Sequence, residues 1–235
     1  MKKFVSLFKK PGVLIGMLIA TFLACAIVII ALFMGQEAGH FVIQVESGDV
    51  RKSVKLTESL EDKRPSSRLE APSLSGMTNT TYDYFYHKLS DYHNAEGLTI
   101  DEDLHIYAYS FYVINDSAES VEVKSTLYLS NVTKNLDKGM RVMTLISKEG
   151  AADYQVNGCY QAPDEVEPSE AYGSNYPAVT EFVDKDRVFE ERISSFDPDT
   201  YIKYTVIFWI EGKDPDTTDD LWNGSIRFTL KLSIL

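Results

Sequence analysis

Basic residues, cysteines and catalytic signature strings are all scarce in this 235-residue chain, and each scarcity removes a class of function. Lys and Arg number 23 against 35 Asp and Glu, giving a formal net charge of -12. The first 35 residues hold four lysines and no acid, so the remainder carries -16. A nucleic-acid footprint needs clustered cations to displace counterions from phosphate, and this balance excludes one. The same surplus disfavours docking of the acidic part on anionic lipid. No H-E-x-x-H, G-x-S-x-G or P-loop string is present, which excludes the standard zinc-protease helix, the serine nucleophile elbow and the Walker phosphate cradle.

The two cysteines are Cys25, inside an apolar N-terminal run, and Cys159, far out in the polar part, so they cannot pair. A β-rich eukaryotic ectodomain of this size more often carries disulfides, and their absence points to a Gram-positive bacterial surface.

What is present begins with an anchor. Val13 to Met34 are 22 consecutive residues without a charge, which as a helix reach about 33 Å and span a bilayer. A cleavable signal peptide has a shorter apolar region and a small-x-small site, so the run is expected to be retained. Cys25 follows Phe22-Leu23-Ala24, but the nine apolar residues after it are unlike a lipoprotein's polar tether, and the cysteine reads as a small membrane-buried residue. Lys2, Lys3, Lys9 and Lys10 precede the run, whereas the next cation after it is Arg51. The positive-inside rule then puts residues 1–12 in the cytoplasm, 13–34 in the lipid bilayer and 36–235 outside.

Beyond the anchor the period is two. Val121, Val123, Leu127 and Leu129 alternate with polar residues, and Ile226, Phe228, Leu230, Leu232 and Ile234 do the same. Leu104 to Ile114 and Tyr201 to Ile210 are apolar on both faces, as central strands are. Further strands are expected at Phe41 to Val45, Val50 to Leu56, Met140 to Ser147, Tyr154 to Tyr160 and Val179 to Val183. Turn clusters such as Asn115-Asp116-Ser117, Asp197-Pro198-Asp199 and Asp214-Pro215-Asp216 separate many of them. About eight strands without long helices between them predict an all-β fold, an antiparallel β-sandwich of jelly-roll or immunoglobulin-like type. The Ser-, Pro- and charge-rich stretch at about 58–80 reads as a long surface loop. Tyr82, Phe85, Leu89 and Tyr92 recur at helical spacing, which predicts a short helix packing that face on the sandwich rather than an aromatic binding stripe. Residues 131–138 read as another short helical turn.

Three of these segments carry a resemblance: Ala108 to Asn115, Met140 to Met143, and Lys203 to Pro215, whose Trp-Ile-Glu-Gly followed by an Asp-Pro-Asp turn is the most specific. Over roughly residues 95–235 the chain resembles uncharacterised membrane-anchored extracellular proteins of clostridia and related Gram-positive bacteria. More remotely it is similar to the camelysin and TasA group of surface and biofilm-fibre sandwiches. The resemblance implies a location and a fold, without an assigned activity. It also implies a cysteine after the Asp-Pro-acid turn, where this chain has Thr217, so a disulfide or metal role of the turn does not carry over.

Candidate chemistry is confined to a few places. Glu211, Asp214 and Asp216, with Asp219 and Asp220 close behind, gather carboxylates beside Gly212. Hard oxygen donors on a loop suit Ca²⁺, although the spacing is not that of a helix-loop-helix site and acidic turns are common as solvated turns. His87, Asp91, His93 and Glu96 are the His-containing cluster, but two histidines six apart do not share a helical face, and a zinc site is the weaker reading. Cys159 reads as a half-buried inert thiol. N-x-S/T strings at Asn79, Asn115, Asn131 and Asn223 suit turns with or without sugar. The expected function is a non-catalytic, membrane-anchored cell-surface module presenting an acidic sandwich to surface proteins, wall polymer or copies of itself. A metal-dependent surface hydrolase is the alternative, and a ligand-sensing ectodomain a third.

Overall fold

The computed structural model describes residues 15, 18–19, 21–25, 41–46, 53–62, 64–71, 77–165, 173 and 175–235. The chain divides into two compact units, 1–38 and 39–235. In the first, the described residues are helical, with Ile15, Leu18, Ile19, Phe22 and Leu23 exposed. Among the described residues no helix is long and apolar enough to cross a membrane. The rest of the expected 13–34 span, and all of 1–12, lie outside them.

The second unit is β-rich, with strands β1 (Phe41–Glu46), β2 (Val54–Thr57), β3 (Arg68–Ala71), β4 (Asn79–Thr80), β5 (Gly97–Asp101), β6 (Ile106–Asn115), β7 (Val121–Ser130), β8 (Met140–Lys148), β9 (Gln155–Gln161), β10 (Thr180–Glu181), β11 (Arg187–Phe196), β12 (Tyr201–Glu211) and β13 (Arg227–Ile234). They form two sheets. The smaller has the order β11-β7-β13-β1-β3; the larger runs β10-β9-β8-β12-β6-β2, with β4 on β12 and β5 on β6. The expectation of a two-sheet, mostly β fold is met. Pairing is chiefly antiparallel, but β1–β13, β9–β10 and β4–β12 are parallel, a correction to the wholly antiparallel expectation.

Alternation explains the layers. Ile202, Tyr204, Val206, Phe208 and Ile210 of β12 point into the core between the sheets, as do Tyr109, Phe111 and Val113 of β6 and Phe228, Leu230 and Leu232 of β13. Phe208 packs on Phe228 at 4.6 Å between ring centroids and on Phe41 at 5.2 Å, so the first and last strands meet at the centre. On the other face of the larger sheet, Ile207 and Trp209 of β12, Ala108 of β6 and Met143 of β8 form a second cluster. It is roofed by α1 (Tyr82–Phe85), a single 3₁₀ turn and α2 (Leu89–Asn94). Tyr82, Phe85, Leu89 and Tyr92 are all buried there, as the spacing predicted. The second short helical turn is α3 (Leu136–Gly139).

The stretch at 58–80 is not wholly loop. Ser66 bridges to Leu56 of the larger sheet, and Arg68–Ala71 then pairs with β1 of the smaller one, so this segment closes one side of the sandwich. Hydrogen bonding to existing edges makes a strand of residues whose composition does not suggest one.

Candidate functional site

At the end of β12 the strand period puts Glu211 on the same face as Trp209, under the start of α1. Its carboxylate is fully buried. It accepts hydrogen bonds from Thr81 Oγ1 at 2.6 Å, Trp209 Nε1 at 3.0 Å, Tyr176 Oη at 3.1 Å, Lys213 N at 3.1 Å and Tyr82 N at 3.4 Å. Five donors compensate its desolvation, so Glu211 ties the helical roof to the sheet. Burial, with Glu211 beside it, pushes the Tyr176 hydroxyl far above its ordinary range. Burial also raises Tyr82 to about 12.

Asp214, three residues on, belongs to a different arrangement. Its Oδ2 lies 2.6 Å from a terminal guanidinium nitrogen of Arg141, with both side chains fully buried. Its Oδ1 accepts from Asp216 N at 2.8 Å, and Asp216 Oδ2 accepts from Glu165 N at 2.7 Å. Thr217, at the position where the resemblance implied cysteine, donates through Oγ1 to Glu211 O at 2.8 Å and locks the turn. Asp164 completes the group: carboxylate oxygens of Asp164, Asp214 and Asp216 all lie within 4.8 Å of one another. Of the expected calcium residues, Asp214 and Asp216 are thus brought together, Glu211 is turned into the interior, and Asp164 joins from a loop fifty residues away in sequence, where no local pattern marked it. Oxygen donors of this kind suit Ca²⁺, which takes six to eight of them. Three carboxylates, one already neutralised by Arg141, make an incomplete cage.

The histidine cluster does not assemble. His87, Asp91 and Glu96 are exposed, whereas His93 is buried against the larger sheet. Ser110 Oγ donates to the Tyr92 carbonyl at 2.8 Å, so Thr205 Oγ1 must donate to Ser110 Oγ at 2.8 Å. His93 Nδ1 then carries the proton given to Thr205 Oγ1 at 2.8 Å, and Nε2 accepts from Ser147 Oγ at 2.8 Å. With both nitrogens committed, neither is open to a metal. Burial, and then the charge of Lys203, hold His93 down at about 4, so the ring is neutral at physiological pH.

One further buried group was not marked by sequence. Glu191 of β11 points between the sheets and accepts from Thr144 Oγ1 at 2.7 Å, Tyr160 Oη at 2.7 Å and Tyr204 Oη, joining the smaller sheet to the larger. Cys159 is fully buried rather than half-buried, and burial pushes its thiol up to about 12, where it is inert. Asn115 is buried too: its amide nitrogen donates to Phe196 O at 2.8 Å and Glu119 O at 3.0 Å, which makes it a turn residue. No protein-family model and no curated protein matches this chain.

Proposed function

We propose that the chain is a non-catalytic surface module, anchored by the apolar segment 13–34 with its N-terminus cytoplasmic, that presents its β-sandwich outside the cell to a wall polymer, a surface protein or another copy. One observation carries this reading. The buried ionisable groups Glu211, Glu191, His93 and the Arg141–Asp214 pair are spent on internal partners that join elements together, while the outer side chains of the smaller sheet, among them Gln44, Tyr128, Thr229 and Lys231, stay partly exposed. Groups spent on cohesion are poor candidates for turnover, and an open polar sheet is a surface for contact.

The jelly-roll member of the two expected sandwich types fits the topology better. The connections β6 to β7, β7 to β8, β11 to β12 and β12 to β13 each change sheet, as in two interlocked Greek keys, and the parallel β1 is the departure. Assembly by strand addition is expected at β11, the long outer strand of the smaller sheet. Its charged residues and its two register shifts blunt that edge, so face contact takes precedence over fibre growth in this reading.

Metal-dependent hydrolysis is the competing reading, and it draws on Asp164, Asp214 and Asp216. The test covers both. In intact Gram-positive cells expressing the full chain, an external protease should remove the sandwich, and the solubilised chain should co-sediment with purified wall. A chain protected in intact cells would overturn the surface reading. A calcium-specific rise in the unfolding midpoint, lost in Asp216→Asn, would favour the metal reading.

A further inference from the structure

The smaller sheet presents its outer face as a cross-strand grid. Pairing registers align Arg68, Gln44, Lys231 and Thr126 in one row, and Glu70, Val42, Thr229 and Tyr128 in the next. Short side chains in the middle and long ones around them leave a hollow of about 510 Å³, floored by Val42 and Thr229 and walled by Arg68, Tyr128, Arg227 and Lys231. That volume lies within the range of ligand sites, and the lining spans four neighbouring strands, β3, β1, β13 and β7.

Charge is the second observation. Across this face Arg68, Lys124, Arg187, Arg192 and Lys231 are paired with Glu70, Glu190, Asp184, Glu122 and Glu46, but the hollow itself is lined by three cations, Arg68, Arg227 and Lys231, against one acid, Glu70. The chain as a whole carries -12. A local cationic surplus on a strongly acidic molecule is where an anion meets attraction rather than repulsion. The Lys231 ammonium sits 5.1 Å over the Tyr128 ring and 3.0 Å from Glu46, and Arg68 is held 2.6 Å from Glu70, so both cations are already oriented in the hollow. Guanidinium forks bind carboxylate or phosphate bidentately, and a tyrosine ring offers a flat apolar seat beside them.

Resting on the surface-module reading above, we propose that this face binds an acidic polysaccharide, a linear glycan whose repeat bears a carboxylate or phosphate. Arg68, Arg227 and Lys231 take the anionic groups, and Tyr128 seats a sugar ring. A hollow that spans four strands suits an extended occupant, and a polymer meets its separated cations with successive repeats, which an isolated anion does not.

The test uses the full chain in non-ionic detergent, with affinity electrophoresis in gels holding polygalacturonate, a phosphomannan or neutral dextran. Retardation is expected in at least one anionic polymer and not in dextran, weakening steeply with salt. Arg227→Ala combined with Lys231→Ala should weaken it at least tenfold at an unchanged unfolding midpoint, whereas Trp222→Ala, at an exposed aromatic elsewhere, should not. The stronger polymer names the anionic group. Retardation equal in dextran, or untouched by the double variant, overturns the proposal. Co-sedimentation with wall that persists in the double variant removes this face while leaving the surface module, whereas a chain that meets neither wall nor polymer removes both.

Discussion

The two sheets treat their outer faces in opposite ways. The larger sheet places Trp209, Ile207, Met143 and Ala108 outward and covers them with α1 and α2; the smaller places Lys, Arg, Glu, Thr and Tyr128 outward and leaves them partly in water. Both faces belong to β-strands of similar length, so strand geometry does not decide which is covered. Side-chain chemistry does: aromatic surface on one face requires a roof, and paired charges on the other do not. Stability should therefore be concentrated on the covered side and recognition on the open one.

The contrast can be broken hardest at its buried ionic point. Asp214→Ala leaves the fully buried Arg141 guanidinium without its carboxylate and should cost about 3–5 kcal/mol in chemical unfolding, with much of it returned by Arg141→Met in the same chain. Trp209→Ala removes the indole that packs on Phe85 at 5.2 Å and donates to Glu211, and should cost about 3–5 kcal/mol by the same measurement. A smaller effect comes from His93. Unfolded, the ring takes a proton near its ordinary 6.5; folded, it resists until about 4. Stability is then present above about pH 6.5 and drains away as pH falls towards 4, by at most about 3 kcal/mol. Comparing the pH dependence of unfolding in the parent and in His93→Gln isolates this part, and identical slopes would sink the assignment. The smallest effect belongs to the open face, where Thr229→Ala and Lys231→Ala should each stay within about 0.5 kcal/mol of the parent. A large loss there would mean that the open face is structural after all.

The covered face was legible in the sequence because helical spacing in Tyr82, Phe85, Leu89 and Tyr92 and two-sided apolarity in β6 and β12 are local signals. β7 and β13 followed from clean alternation. β11 escaped because a register shift sets Val188 and Phe189 both inward, and because Glu191, a charged residue, occupies a core-facing place. β3 escaped because its pairing comes from distant edges and not from its own composition. At the acidic turn the residue types were visible but their partition was not. Glu211 faces the roof and Asp214 faces Arg141, a division made by strand register and by a residue 73 positions away. The hollow on the smaller sheet joins β1, β3, β7 and β13, and no stretch of sequence contains it.

The central place of β1 also bears on how the protein is made. One edge of Phe41–Glu46 is satisfied early by Arg68–Ala71, but the other waits for Phe228–Ser233. At ribosomal speeds of about 5–20 residues per second, that delay is roughly ten to forty seconds. During it the chain holds an apolar strand with an unfilled edge, the form in which polypeptides most readily join a stranger. Maturation of this sandwich is thus tied to the release of β13, and a chaperone that keeps the chain extended until then would protect it better than rapid folding.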